Sequence, residues 1–293
     1  MNAPVSAIAS VESTVQVSVE IAPTGRTGAR LLAPVGIPTP HQTPLRFSVE
    51  GGAWSLTGER HTGQMAALVT PSDPALPMTL RYEYAAGGSG YPEALFVPIG
   101  SRHTRPADAL VTDALRIADA AADGHAAIAT IVADVARKFI YGHPETRFYE
   151  GRDAIPHLAC GLTEGSCVDI NTYLIACLRA AGFDAGYVTG YFFPREKNGC
   201  CDDMHCWVMS RHNGVVLEWD IAHHLKMGAQ DICCGLNPKP GSRVALAHSM
   251  GLDFPELGLR ELKLLAEPVW IDAAAAVGKT AVVISMTEGG IDP

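Results

Sequence analysis

The sequence is short of basic residues and has no long apolar run. Its 293 residues include 22 Lys and Arg against 31 Asp and Glu, which gives a formal net charge of −9 at pH 7, and no basic cluster occurs. This balance argues against nucleic acid and against an anionic membrane as partners, and it mildly favours a cationic substrate. No stretch approaches the roughly 20 apolar residues that a membrane helix needs. These absences argue against a nucleic-acid-binding protein and against a membrane-spanning one.

The sequence also lacks the features of a secreted or zinc-binding protein. Residues 1–6 have neither the basic start nor the apolar core of a signal peptide, which predicts a cytoplasmic location. In that compartment the eight cysteines should be mostly free thiols. Cys and His residues are concentrated between residues 200 and 234, but Cys200-Cys201 and Cys233-Cys234 are adjacent pairs, whereas familiar zinc modules separate their cysteines. We therefore predict no metal and no cofactor.

The pattern of the chain changes near residue 105. Before it, short β-rich runs at 15–21, 45–49, 65–69 and 78–84 are separated by turns with Gly and Pro, which is typical of a small antiparallel sandwich. After it, residues 107–122 and 125–141 have apolar side chains at helical spacing. The signal weakens after residue 235, and a last strand is predicted over 281–286. We predict an N-terminal β-rich domain at 1–104 and a second domain at 105–293, because the chain exceeds the typical domain of about 100–200 residues.

A capped helix is predicted to begin at Cys167. Apolar residues recur at helical spacing over 170–181, and Gly182 follows where a terminating glycine would lie. Ser166 is the expected N-cap, with Asp169 three residues later as in a capping box. A thiol at the first helical position faces unpaired N–H groups and the positive end of the helix dipole, which favours thiolate and lowers the thiol pKa. The alternative is that Cys167 is a buried structural thiol.

A hairpin is predicted around Asn213-Gly214, the strongest short signal for a two-residue turn. Such a turn places Trp207 opposite Asp220, and His205 shares the face of Trp207 because side chains alternate along a strand. His205 and Asp220 then become diagonal neighbours on one face of the hairpin. An imidazole and a carboxylate at such positions can meet when the strands twist or bulge.

A thiol, an imidazole and a carboxylate are the components of a cysteine catalytic triad. Cys167 would attack a carbonyl carbon, His205 would act first as general base and then as acid, and Asp220 would orient and stabilise the imidazolium. The backbone N–H of Cys167, at the helix N-terminus, is one natural donor to the oxyanion.

Several segments carry a resemblance to the transglutaminase-like superfamily. They are Gly165-Ser166-Cys167-Val168-Asp169, residues 179–185, Gly190-Tyr191, His205-Cys206-Trp207-Val208 and Glu218-Trp219-Asp220. The resemblance spans roughly residues 160–225 and implies an α+β, papain-like core, in which the helix bearing the cysteine packs on an antiparallel sheet, with Cys167, His205 and Asp220 as the triad. Microbial members with an N-terminal β-domain, here expected to be sandwich-like, are mostly described as cysteine proteases or amidases.

The chain departs from the family pattern around the nucleophile. Cys206 occupies a position usually held by alanine. No Trp occurs between Trp54 and Cys167, so the upstream aromatic residue that helps to bind the oxyanion has no match, and Tyr149 and His157 are the candidates to replace it.

We predict that Tyr191 and Trp207 flank a substrate cleft together with Ser166, the alternative being that the two aromatic residues belong to the core.

The predicted activity is acyl transfer from an amide through a Cys167 thioester, with a peptide or a small-molecule amide as substrate. Water is the favoured acceptor, because hydrolysis needs only that water reach the thioester, whereas transamidation needs a second groove that admits an amine and limits water. An amine-accepting transglutaminase is the second hypothesis, and a non-catalytic binding module on the same fold is the third. The sequence carries no indication of the oligomeric state.

Overall fold

The structure is a computed structural model that describes residues 14–229, 231–236, 238–272, 277–278 and 280–289. In these ranges the chain forms two five-stranded sheets, one four-stranded sheet, two two-stranded sheets and four α-helices. None of the helices in the described ranges is both long enough and apolar enough to cross a membrane. Residues 1–6, on which the prediction about a signal peptide depends, lie outside the described residues.

The elements follow one another with short connections. The helices are α1 (Asp108–Asp119), α2 (Gly124–Lys138), α3 (Cys167–Ala180) and α4 (Ile221–Lys226), with single 3₁₀ turns at Glu93–Phe96, Arg195–Lys197 and Pro255–Leu257. The strands are β1 (Thr14–Ile21), β2 (Arg30–Pro34), β3 (Gln42–Glu50), β4 (Gly52–Gly58), β5 (Met65–Pro71), β6 (Met78–Ala86), β7 (Phe139–Tyr141), β8 (Thr163–Gly165), β9 (Asp184–Pro194), β10 (Cys200–Cys201), β11 (Met204–His212), β12 (Val215–Trp219), β13 (Gly241–His248), β14 (Leu252–Phe254), β15 (Leu259–Leu262), β16 (Val269–Ile271), β17 (Val277–Gly278) and β18 (Val282–Gly289).

The two five-stranded sheets share one apolar core. Their strand orders are β10-β18-β1-β6-β3 and β17-β16-β2-β5-β4. In β1 the alternation expected of a half-buried strand places Val17, Val19 and Ile21 inside, where they join Leu31 of β2. The strands predicted at 15–21, 45–49, 65–69 and 78–84 are confirmed as β1, β3, β5 and β6, whereas β2 and β4 were not predicted.

The C-terminal segment contributes strands to both of these sheets. The last strand predicted at 281–286 is confirmed as β18, which pairs antiparallel with β1 on one side and with β10 on the other. β16 pairs with β2 in the second sheet. The division into domains at 1–104 and 105–293 stays a prediction, and these pairings draw the end of the chain into the N-terminal sheets.

α3 packs on an antiparallel sheet of order β12-β11-β9-β13, as the predicted α+β core requires. Its side chains Tyr173, Leu174 and Leu178 are fully buried, and they belong to one core with residues of α2 and β11. The helical spacing at 107–122 and 125–141 is confirmed by α1 and α2. α2 ends at Lys138, before the predicted residue 141, because Phe139–Tyr141 leaves the helix to form β7, which pairs with β8 directly before α3.

The predicted hairpin has the predicted register. Asn213 and Gly214 both adopt positive φ, at 49° and 77°, as a tight primed turn requires. β11 and β12 pair from His212↔Val215 to Val208↔Trp219. The ladder ends there, so that Asp220 is free to begin the next element instead of pairing with Trp207.

Gly190 offers a test of how closely the strands of the four-stranded sheet are packed. A Cβ at Gly190 would lie 1.9 Å from the carbonyl oxygen of Val244 in β13, a backbone atom that moves only if β9 and β13 separate. We expect Gly190→Ala to lower the free energy of unfolding by about 3 kcal/mol. Urea denaturation followed by circular dichroism measures it. Gly100→Ala is the control, because a Cβ there meets nothing within 4 Å; equal losses in both variants would contradict the expectation.

Candidate active site

Cys167 is the first residue of α3, above the predicted cap. The backbone N–H and the hydroxyl of Ser166 donate to Asp169 Oδ2 at 2.9 and 2.7 Å, and the Ser166 side chain accepts from the backbone N–H of Asp169, so the capping box is confirmed. Asp169 Oδ1 in turn accepts from Arg147 at 2.6 Å and from the Tyr149 hydroxyl at 2.9 Å. Because Arg147 balances this carboxylate, the acidic residue in the first turn leaves much of the positive helix end acting on Cys167.

The structure brings Cys167, His205 and Asp220 together at the N-terminal end of α3. His205 Nε2 donates to Asp220 Oδ2 at 3.0 Å, and the Cys167 thiol interacts with the same imidazole, each affecting the pKa of the other. Since Nε2 faces the carboxylate, Nδ1 is the ring nitrogen left for the thiol. All three side chains are buried, and Asp220 completely so. The arrangement therefore runs from thiol to imidazole to carboxylate.

Asp220 is positioned by the end of the hairpin and the start of α4. β12 ends at Trp219, whose indole N–H donates to Ser210 Oγ at 2.8 Å. Asp220 is the N-cap of α4, and its Oδ1 accepts from the backbone N–H of His223 at 3.0 Å. One carboxylate oxygen therefore holds the helix in place, and the other is directed to His205.

Two residues that the sequence analysis did not assign to the site contact the same carboxylate. His223 Nδ1 lies 3.0 Å from Asp220 Oδ2, and its ring stacks on that of His205 with centroids 4.0 Å apart. Arg243 Nη2 donates to Asp220 Oδ2 and lies 3.1 Å from His223 Nδ1. Burial alone would raise the pKa of Asp220, but His205 and Arg243 outweigh burial and hold it well below its ordinary value. Asp220 is thus ionised.

The protonation of the site differs from the sequence-based expectation. Burial lowers the pKa of His205, but the Asp220 carboxylate outweighs burial and raises it to about 9. Contact with the Cys206 thiol, together with burial, raises the pKa of Cys167 well above its ordinary value, and His205 offsets only part of this. The expectation of a lowered thiol pKa is wrong, because a second thiol beside the nucleophile was not anticipated. At neutral pH a thiol faces an imidazolium, and the pair must lose one proton before it reacts.

Cys206 is the origin of the raised thiol pKa. It is fully buried, with its Sγ 3.4 Å from Asn171 Nδ2. Its interaction with the Cys167 thiol raises the pKa of Cys167. We expect Cys206→Ala to lower the pKa of Cys167, so that alkylation of Cys167 by iodoacetamide reaches half its maximal rate at lower pH, as peptide mass spectrometry would measure. The control is Cys177→Ala, which removes a buried thiol of α3. Identical pH profiles for the two variants would contradict the assignment.

A cleft of about 400 Å³ lies in front of Cys167. Ser166 borders it, as predicted, together with Phe192 and the segment between β9 and β11. Tyr191 and Trp207 do not: Tyr191 is fully buried in the core of the sandwich, and Trp207 is 1% exposed beneath the site. Tyr191 does not reach the cleft because side chains alternate along β9: Phe192 points to the cleft, and its neighbour Tyr191 points to the opposite face.

The two candidates for a second oxyanion donor also lie elsewhere. The Tyr149 hydroxyl is held by Asp169 and Lys263, and His157 Nε2 lies 3.2 Å from Asp113 Oδ2. Neither residue borders the cleft. The upstream aromatic residue that does border it is Tyr141, at the end of β7.

The described residues contain one group with the spacing of metal ligands, namely His205, Asp220 and His223, whose ligand atoms lie within 4.8 Å of one another. Arg243 donates to the Asp220 carboxylate, and its positive charge opposes a cation there. The paired cysteines are not part of this group, and all eight cysteines are free thiols.

Residues 112–219 match the family described as the transglutaminase-like superfamily. A solved structure from Cytophaga hutchinsonii, of a protein provisionally named a cysteine protease, is similar with a TM-score of 0.56 and 13% identity, over 97% of this chain and 94% of that one. At this identity the similarity shows the fold. The periplasmic domain of TgpA from Pseudomonas aeruginosa matches over 76% of this chain and 94% of its own at 15% identity, with a TM-score of 0.37.

The comparison with curated proteins found no match. The superfamily match and the contact of a buried thiol with a buried imidazole support a cysteine-dependent enzyme in general.

Proposed function

We propose that the protein hydrolyses an amide through a thioester on Cys167. The observation that carries the proposal is the chain of contacts from the Cys167 thiol to the His205 ring, and from that ring to the buried Asp220 carboxylate at 3.0 Å. A purely structural role for the buried Cys167 thiol would require neither an imidazole beside it nor an ionised carboxylate behind that imidazole. The thiol, the imidazole and the carboxylate together have the arrangement of a nucleophile, its general base and the group that orients the base.

The reaction uses each group twice. Once the His205 ring has lost its own proton to solvent, it accepts the thiol proton as Cys167 attacks the carbonyl carbon, and it then donates that proton to the leaving amine. The Cys167 backbone N–H, at the start of α3, donates to the oxyanion. In the second half, water attacks the thioester while His205 accepts a proton from it, the free acid leaves, and the thiol is restored. Asp220 stabilises the imidazolium each time it forms.

The cleft supports a small or single-ended amide as the substrate. Its volume of about 400 Å³ is in the range of small-ligand pockets. The loop between β9 and β11 borders it, and β10 within that loop is paired with β18 of the sandwich, which restricts an extended polypeptide on this side. The rim mixes Lys226 and Lys239 with Asp203 and Glu267, so the negative charge of the whole chain does not extend to the cleft. We therefore propose a polar amide, with no preference for a cationic one.

Product analysis tests the proposal directly. The enzyme is incubated with a panel of small amides and short peptides, each with and without a primary amine, and the products are identified by mass spectrometry. Free acid in both conditions supports the hydrolase. A new amide that forms only with the amine supports the transglutaminase hypothesis. Slow alkylation of Cys167 at every pH, unchanged by His205→Ala, would leave the non-catalytic binding module as the function.

A further inference from the structure

Arg243 lies against the candidate triad in a position that a surface arginine does not take. Its side chain is 6% exposed and donates to Asp220 Oδ2, the oxygen that also accepts from His205. The guanidinium carbon lies 5.1 Å from the centroid of the Phe192 ring and 5.2 Å from that of Trp207. Two aromatic faces thus hold the cation in place through cation–π contacts.

The position of Arg243 follows from the sheet. Arg243 in β13 pairs with Phe192 in β9, and β9 pairs in turn with β11, which carries His205 and Trp207. The guanidinium is therefore fixed by the same backbone pairings that fix the imidazole. The position of Arg243 is therefore determined by the strand pairings that form the site, unlike that of a mobile arginine at the rim of a cleft.

A permanent cation at this oxygen solves an electrostatic problem of the proposed reaction. The His205 ring changes from neutral to charged and back in each half-reaction. A fully buried carboxylate beside a neutral imidazole is costly, because burial favours the protonated acid. A guanidinium cannot release its proton in this pH range, so it keeps the carboxylate charged at every stage.

We propose that Arg243 is a positioning residue of this site: it acts through Asp220, as the permanent counter-ion that keeps this carboxylate charged while it shares the oxygen that accepts from His205. This inference rests on the proposed function. The positive charge of Arg243 partly cancels the negative charge of Asp220, so the carboxylate stabilises the protonated form of His205 less strongly. Without Arg243, the imidazolium would be stabilised further and would release its proton only at higher pH.

Several charged and titratable groups surround His205, and the effect of Arg243 on the pKa of His205 has to be separated from theirs. Cys167 faces the ring from α3, and Asp220 and His223 face it from the start of α4. Arg243 in β13 contacts both Asp220 and His223. The cleft beyond carries Tyr141, Asp203, Lys226 and Glu267, which stay the same in all the variants.

The experiment follows the imidazole of His205 by ¹H–¹⁵N NMR between pH 5 and 10 in the full chain carrying Cys167→Ala, which removes the coupled thiol. We expect Arg243→Gln to raise the pKa of His205 by about one unit, as the loss of a cation a few ångströms away requires. Arg243→Lys keeps the charge and should leave the His205 pKa close to that of the parent. Asp220→Asn should move it in the opposite direction, downward.

The His205 pKa in these variants distinguishes an electrostatic role of Arg243 from a merely structural one. If Arg243 only propped Asp220 in place, Arg243→Gln would lower the His205 pKa as Asp220→Asn does, and this result or an unchanged pKa would overturn the inference. Circular dichroism of each variant identifies misfolding, for which Arg243→Lys supplies the folded comparison. Alkylation of Cys167 in the otherwise unaltered protein decides the proposed function separately, because it reports on the thiol whatever the titration of His205 shows.

Discussion

Replacing Cys167 with alanine should abolish amide turnover, with a loss in kcat/KM of about 10⁴-fold or more, because no thioester can form without the thiol. The change removes a single sulfur atom. The cap of α3 uses Ser166 and Asp169, so the helix should persist and circular dichroism should be unchanged. Initial rates with the best amide of the substrate panel give the loss.

The matched control is Cys160→Ala, which removes an exposed thiol a few residues before the nucleophile and should retain full activity. Cys201 borders the same cleft and is the thiol to examine next if Cys167→Ala keeps its activity. Retained turnover in Cys167→Ala would refute the assignment of the nucleophile and not merely weaken it.

Asp220→Asn should lower kcat/KM by about 10²–10⁴-fold, because the imidazolium formed in each half-reaction loses its counter-charge. With the carboxylate gone, burial dominates and the pKa of His205 falls from about 9. Stability should change its pH dependence as well. The raised pKa means that protonated His205 stabilises the folded protein fully below its ordinary pKa of 6.5, and that this contribution is lost as the pH rises through about 9.

Urea denaturation at pH 6 and pH 9.5 measures this second effect. The parent protein should lose stability between the two pH values, and Asp220→Asn should lose less. Asp203→Asn serves as the control, because Asp203 borders the same cleft on the exposed loop after β10. A variant of Asp220 with full activity and an unchanged pH dependence would show that the carboxylate has no part in the site.

The elements that place the nucleophile and its base could be predicted because their signals are local. The cap at Ser166 and the terminating Gly182 lie within one helix, and the Asn213-Gly214 turn determines the register of its own two strands. From these alone follow the first helical position of Cys167 and the approach of His205 to Asp220.

The contacts that tune the site could not be predicted, since they join segments far apart in the chain. β13 gave no clear strand signal, and Arg243 within it reaches Asp220 only because β13 pairs with β9 and not with the hairpin. The contact of Cys206 with Cys167 depends on how α3 sits on β11. The alternation along β9 predicts that Tyr191 and Phe192 point to opposite faces, but which of them meets the cleft depends on the sandwich packed behind the sheet.

The pairing of β1 with β18 has a consequence for the making of the protein on the ribosome. β1 is synthesised long before β18, its partner on one side, because most of the described elements lie between the two strands in the chain. Until then β1 presents an open edge beside an apolar face, the arrangement from which strands of different molecules join. We expect the risk of aggregation to be highest in that interval. A nascent chain that is halted before Val282 should therefore require a chaperone, whereas the folded protein should not.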